Sequence, residues 1–520
     1  MTEPSPSTIA PDTTPATPKA AALSAAASIV TEASGLVEYQ SSGRLLMIGS
    51  AAAVAAALGH VDNALSVRAL LTAGADTPPE GIAFEAAPAG SIDISGYLGA
   101  FTVSSAAGTR ETDLILDLTE APLLPMPLPP PGYFAPGTDA AAQREAIAQL
   151  NGLTGRFDKP QYFNLRPEIC AHGASELTGC TRCLDACPAE AIFSIGNKVE
   201  VNPYLCQGGG VCTTVCPTGA ISYAYPRAGD NLDRMRRMLR AWREAGGAGA
   251  TLVLHTEAFD IGTLADNELP LALEELASVG LELWLSALAF GARKVLLVRD
   301  TGISPQVLDA LQEQRFVANT ILDSLGLPPA VQWFGADKAA PMPALQPATF
   351  GAGSGGKREL LFAALDHLIE HAPTVPAQLP LPLGAPLGTL QVGSGCTLCM
   401  ACVSVCPAKA LADGDGTPAL RFFESNCVQC GLCATACPEQ VIQLVPRLLT
   451  DPAERRRAVV LNQEQPFLCV RCSKPFATQS VIDRMISKLS GHSMFQDAAS
   501  VNRLRMCGDC RVIDMMKDDA

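Results

Sequence analysis

The sequence predicts an α+β chain of several domains. Three observations carry this: a length of 520 residues, two stretches where strand-like and helix-like apolar runs alternate, and cysteines gathered into three groups. At roughly 100–200 residues per domain, that length allows several cores. Hydrophobic residues make up 48% of the chain, enough to fill them. The net charge of −15 excludes non-specific nucleic-acid binding, which needs a basic surface. It suits a protein that meets a basic patch on a partner.

Residues 1–35 are rich in Pro, Thr, Ser and Ala and are expected to be a disordered tail. Residues 36–124 read as a small α/β domain, with a strand at Gly43–Gly49, an Ala-rich helix after it and a last strand at Asp113–Leu118. Residues 125–160 form a Pro-rich linker and a helix near Ala140–Leu150. Residues 161–228 hold the first cysteine group. Residues 229–335 begin with a basic helix, Asn231–Glu244, in which Arg234, Arg236, Arg237, Arg240 and Arg243 make a solvated face or a docking face for an acidic partner.

A second α/β pattern follows: a strand at Thr251–Leu254, an apolar helix at Ala272–Phe290 packed through Trp284 and Phe290, a strand at Lys294–Val298 and a helix at Gln306–Leu325. Residues 336–388 are a linker with a helix, 389–447 hold the second cysteine group, and 448–520 form a four-cysteine tail. No G-x-G-x-x-G follows the first strand of the second α/β pattern. Gly351–Lys357 lacks the spacing of a phosphate loop and reads as flexible linker. Nothing local suggests a nucleophile–base constellation, so no catalytic residue is predicted.

The 19 cysteines are clustered at ligand spacings, and Met1-Thr2-Glu3-Pro4 lacks the features of a secretory signal. Reduced thiols serving as metal ligands imply a cytoplasmic location. The longest apolar run, Leu45–Leu58, is too short for a bilayer, which takes about 20 residues. No membrane span is expected, and peripheral association stays open.

Cys396, Cys399, Cys402, Cys406 and Pro407 spell C-x2-C-x2-C-x3-C-P, and Cys427, Cys430, Cys433, Cys437 and Pro438 repeat it without substitution. The run resembles that of bacterial two-cluster ferredoxins, whose fourth cysteine crosses to the other cluster. A zinc or disulfide module would not call for the doubled motif. The resemblance implies a βαββαβ-type module with two [4Fe–4S] clusters. Cys396, Cys399, Cys402 and Cys437 would hold one, and Cys427, Cys430, Cys433 and Cys406 the other.

Cys180, Cys183, Cys187 and Pro188 match the last three cysteines of the motif, with Leu177 in place of the first. A looped insertion would return Cys170 to that corner. The second half reads Cys206, Gly209, Cys212, Cys216 and Pro217, one cysteine short. By the same crossing rule, Cys170, Cys180, Cys183 and Cys216 would hold a [4Fe–4S] cluster. Cys187, Cys206 and Cys212 would be left for the other. That missing ligand resembles seven-iron ferredoxins and implies a [3Fe–4S] cluster. A labile [4Fe–4S] cluster with a non-cysteine ligand, or no second cluster, stays open. His172 is a possible substitute ligand, read here as a loop residue.

Cys469, Cys472, Cys507 and Cys510 form two C-x2-C knuckles with a helix expected between them at Ser480–Leu489. Such pairs give tetrahedral sulfur ligation, as in zinc ribbons. Zinc is the first expectation, with an iron site or a redox thiol set as alternatives. The whole arrangement resembles large bacterial ferredoxin-like proteins associated with molybdenum formate dehydrogenase systems, through Ile169–Gly173, Gly179–Leu184 and Cys206-Gln207-Gly208. That implies one-electron relay between a dehydrogenase-type donor and an acceptor. An accessory or docking factor for a metalloenzyme and a flavin-linked reductase are the rival readings.

Overall fold

The computed structural model describes residues 17–74, 80–257, 260, 262–299, 302–336, 339–351, 356–489, 491–492, 495 and 497–518. The expected tail over residues 1–16 and four residues of the Gly351–Lys357 segment, 352–355, lie outside them.

Arg44–Ser50 is the central strand of a five-stranded parallel sheet, between Ser66–Ala73 and Leu114–Asp117. Ala83–Ala86 and Tyr133–Phe134 are its edges. Leu45 and Met47 face one core, and Leu46 and Ile48 the other. Burial on both faces explains the unbroken apolar run. The helices Ala51–Leu58 and Ala140–Asn151 contribute to the first core, and the antiparallel strands Asp93–Ser95 and Phe101–Ser105 to the second. Ser50 starts the first helix by accepting from the Ala53 amide. Asp113, almost wholly buried, accepts from the Arg44 guanidinium at 2.6 Å and the Ser42 hydroxyl at 2.6 Å.

The expectation of disorder to residue 35 is corrected. Pro18–Ala27 is a helix capped by the Thr17 side chain. Ala22 and Ala26, one turn apart, are buried with Leu232 and Leu239 of the basic helix, Ala228–Glu244. Small side chains let the two helices approach closely. Leu36–Ser41 then pairs antiparallel with Gly155–Pro160.

The second α/β region is a four-stranded parallel sheet in the order Glu268–Leu273, Thr251–Thr256, Lys294–Leu297, Val331–Trp333. Here the helix expected at Ala272–Phe290 is corrected: Leu269, Leu271 and Leu273 alternate inward on a strand, and the helix runs only from Leu281 to Ala289. The two-residue period, with Pro270 in the run, favours strand over helix. Trp284 and Phe290 are buried as expected.

Both cysteine regions follow the order β-α-β-β-α-β. In the second, Gly388–Val392 pairs with Ile442–Leu449, and Leu411–Ala412 with Ala419–Phe422. Neighbouring segments join these sheets. Gln378–Pro380 adds to Ile442–Leu449 and Val459–Gln463 adds to Ala419–Phe422, so strands cross the limits drawn at 388/389 and 447/448. In the first region, Phe163–Leu165 pairs with Ile221–Tyr223, and Ile192–Ile195 with Lys198–Val201. Among the described residues no helix is long and apolar enough to cross a membrane.

Candidate metal centres

In the second cysteine region, Cys396, Cys399, Cys402 and Cys437 line one small cavity with Leu398, Leu420 and Ile442. Cys406, Cys427, Cys430 and Cys433 line another with Leu390, Leu411 and Leu444. Left-handed residues inside each C-x2-C turn, Leu398 and Met400 in one and Gln429 and Gly431 in the other, curl the backbone around its cavity. Successive amides in such turns make a concavity that favours anions. The Ala410 amide donates to Cys406 Sγ at 3.2 Å and the Gln429 side chain to Cys427 Sγ at 3.3 Å.

Burial and the neighbouring thiols push Cys402 up to about 12 and Cys430 up to about 11. Burial likewise drives Cys433 and Cys427 upward. Four soft thiols crowded in an apolar cradle keep negative charge only beside a cation. That donor set fits an iron–sulfide cube.

The first region builds the same cradle with one insertion. A small hairpin, Gly173–Ala174 with Leu177–Thr178, loops out between Cys170 and Cys180. The Cys180 amide donates to Ala171 O at 3.0 Å and closes the loop. The thiols of Cys170, Cys180, Cys183 and Cys216 thereby fall within mutual electrostatic range, and Cys183 is driven up to about 12 by burial and by the other three. His172 is buried, with Nδ1 donating to Cys180 O at 3.0 Å and Nε2 bonded to the Ser194 hydroxyl at 2.7 Å. The two ring nitrogens tie the start of the hairpin to Cys180 and to the strand Ile192–Ile195.

Cys187, Cys206 and Cys212 line a separate cavity with Gly208, Gly209 and Gly210. A Cβ at Gly209 would meet nothing within 4 Å. The corner lacking a thiol is therefore open space. Lys159 stands beside Cys206, its Nζ donating to Cys206 O at 2.5 Å and lying 4.9 Å from the Tyr39 ring centre. Burial lowers this lysine to about 8.

Residues 160–220 match a family described as 4Fe-4S dicluster domain, and residues 395–442 match another of the same description. The chain carries two ferredoxin-type iron–sulfur modules. No curated protein matches the sequence. The two ferredoxin modules support an electron-transfer role, since such clusters cycle by one electron.

The modules touch. A Cβ at Gly179 would fall 2.5 Å from Leu432 Cγ, so only glycine fits that approach. The four thiol groups form a row. Cys212 interacts with Cys183 and Cys216, Cys430 with Cys180, and Cys433 with Cys402. From end to end the order is the Gly209 cradle, the Cys170 cradle, the Cys427 cradle and the Cys396 cradle. Cys399 is exposed at the last of these.

Two adjacent cations serve both modules. Lys357 Nζ donates to Thr213 O and Thr214 O, each at 2.7 Å. Burial raises the Cys216 thiol, but the Lys357 charge and hydrogen bonds from Thr218 and Ile221 outweigh it and bring it down. Arg358 donates to Cys427 O at 3.0 Å and Ser425 O at 2.7 Å, and burial lowers it to about 10. Sequence reasoning missed this pair. Its only signal was Lys357-Arg358 at the start of a helix, read as the end of a linker.

In the tail, one ligand atom from each of Cys469, Cys472, Cys507 and Cys510 lies within 4.8 Å of the others. The first knuckle joins the hairpin Pro466–Leu468 and Pro475–Thr478, and Cys510 sits in the helix Gly508–Asp518. Desolvation raises Cys469, but amides of Cys507, Cys472 and Arg471 overcome it and bring the thiol to about 6. This donor set fits a tetrahedral, thiophilic ion. The tail packs on the second ferredoxin module, where Thr478 donates to Thr397 O at 3.3 Å and Arg484 pairs with Glu439.

Proposed function

We propose that this protein carries single electrons along its four cysteine cradles, from a dehydrogenase-type donor to a downstream acceptor. The row of thiol groups through both ferredoxin modules supports the reading, because neighbouring cradles share an electrostatic field and the modules meet without an intervening layer.

In this reading Cys396, Cys399, Cys402 and Cys437 hold one [4Fe–4S] cluster and Cys406, Cys427, Cys430 and Cys433 a second. Cys170, Cys180, Cys183 and Cys216 hold a third. Cys187, Cys206 and Cys212 hold a [3Fe–4S] cluster at the open corner. When bound, the clusters supply one-electron redox chemistry. The chain holds them, keeps water out with Leu390, Leu420 and Ile442, and places Lys357 and Arg358 where they stabilise added negative charge. Zinc held by Cys469, Cys472, Cys507 and Cys510 pins the tail. The partner is a redox protein that docks near exposed Cys399, and the reducing cytoplasm is the compartment these thiols suit.

Anaerobic purification with iron, sulfide and zinc analysis and EPR tests this reading. The expected result is cubane signals on reduction, a three-iron signal on oxidation, and zinc. Material without iron and acid-labile sulfide would overturn it.

A further inference from the structure

A cavity of about 380 Å³ opens between the first ferredoxin module and the helix Gly356–Glu370. That lies within the range of about 300–1,000 Å³ typical of small-molecule sites. Its wall includes Ile221, which also lines the Gly209 cradle.

Two helices begin at this cavity. Ala228 and Gly229 open the helix Ala228–Glu244, and Gly356 and Lys357 open the helix Gly356–Glu370. Helix starts attract anions. Arg166 and Arg227 line the same space and are exposed, which places two cations toward its solvent side. Arg227 also pairs with Glu32 at 2.6 Å.

Glu282 is 6% exposed and lines the cavity. Its Oε2 lies 3.6 Å from Lys357 Nζ, yet accepts no hydrogen bond among the described residues. Lys357 already donates to two carbonyls. Paired in charge with Lys357 but accepting no hydrogen bond, this oxygen can take a donor from a bound ligand. Ile221, Leu232 and Leu360 supply apolar wall.

We propose that this cavity binds a mononucleotide. The phosphate sits by the helix starts with Arg166 and Arg227. The flat base lies against Leu232 and Leu360 and donates a ring N–H or amino hydrogen to Glu282 Oε2. Flavin and adenine mononucleotides share this chemistry.

The experiment titrates the anaerobic, cluster-loaded full chain by calorimetry with FMN, AMP, riboflavin and adenosine. One phosphorylated ligand is expected to bind below about 1 mM, and its dephosphorylated partner about tenfold or more weaker. FMN over AMP identifies a flavin site, and the reverse a purine site. Arg227→Ala, at an exposed position, should weaken the phosphorylated ligand and leave the cluster spectrum unchanged. Absence of binding by both nucleotides, equal affinity with and without phosphate, or an Arg227→Ala affinity equal to wild type would overturn the proposal. This outcome is independent of the electron-relay reading, which iron and sulfide content decide.

A different observation carries a second site. His367, Glu370 and His371 offer one ligand atom each, all within 4.8 Å of one another. His367 Nε2 stands 2.8 Å from Gln346 O and His371 Nδ1 stands 2.9 Å from His367 O. A carbonyl only accepts, so those two nitrogens carry the protons. In the neutral rings, His367 Nδ1 and His371 Nε2 keep their lone pairs. Metal-binding histidines are commonly oriented by such a donation to a carbonyl. The triad lies at the C-terminal end of its helix, where a cation is favoured.

We infer that His367, Glu370 and His371 bind a divalent transition ion such as zinc. Equilibrium dialysis of the cluster-loaded chain against zinc should load one more ion in wild type than in His371→Asn, with tail zinc present in both. Zinc should also protect His367 and His371 of the wild-type chain from diethyl pyrocarbonate, read by peptide mass spectrometry. Equal zinc content in folded wild type and variant, or unchanged modification of both histidines with zinc present, would overturn the assignment.

Discussion

Gly179 of the first ferredoxin module faces Leu432 of the second so closely that a side chain at 179 would begin 2.5 Å from Leu432 Cγ. Neighbouring Cys180 and Cys430 are within electrostatic range across the same contact. In the proposed relay, this joint is where charge would pass between the two halves.

Gly179→Val should wedge the joint apart. Overpacking typically costs about 1–3 kcal/mol, and the added gap should slow transfer between halves while cluster content stays intact. Stopped-flow reduction, followed by EPR of each cluster, checks it. Unchanged transfer in the folded variant would argue for another route.

Gly209→Cys should turn the three-iron signal into a four-iron one, because the new Cβ enters open space beside Cys187, Cys206 and Cys212. Iron analysis and EPR of the variant read the change. An unaltered spectrum would reject the ligand assignment there.

Arg358→Gln should make the Cys427 cluster harder to reduce. Removing a buried positive charge is worth about 4 kcal/mol at 4 Å and about 2 kcal/mol at 8 Å for an effective dielectric near 20, or roughly 90–170 mV for one electron. Redox titration monitored by EPR measures it. A shift to higher potential would contradict the electrostatic role.

Asp113 gives an acid-sensitive contact in the first α/β domain. Burial raises its carboxyl, but the Arg44 guanidinium and the Ser42 hydroxyl prevail and hold it below the ordinary carboxylate value. A depressed folded pKa contributes stability in full above the unfolded value of about 4 and loses it as pH falls through the folded one. Asp113→Asn should therefore destabilise at pH 7 by about 1–3 kcal/mol, with the difference from wild type shrinking toward pH 3. Denaturant melts across that range settle it.

Removing the tail ion should loosen the hairpin and helix that carry its thiols without bleaching the clusters. Treatment with a zinc chelator, followed by hydrogen exchange over 466–518, should show faster exchange there and an unchanged visible spectrum. Iron in place of zinc in the chelator fraction would overturn the zinc assignment.

The cysteine spacings made both ferredoxin modules legible, since three thiols can converge on one cube only from such turns. The apolar run at Leu45–Ile48 likewise marked a strand buried on both sides. The helix Pro18–Ala27 was hidden because its alanines carry no amphipathic signal and gain order only from the helix they meet. The strand Glu268–Leu273 was not legible, and its last two residues fell inside the helix expected from Ala272, because apolar residues continue past it and a two-residue period is weak over so short a run. Lys357 and Arg358 were illegible as site residues because their partners are backbone carbonyls distant in sequence.

Those two side chains point from one helical turn into different halves of the molecule. Cutting the polypeptide so that each half could be produced alone would strip one of them of its countercharge, whichever side kept the helix. What looks like a pair of interchangeable cassettes is a single unit to the cell that must assemble it, and a separated half should emerge short of metal.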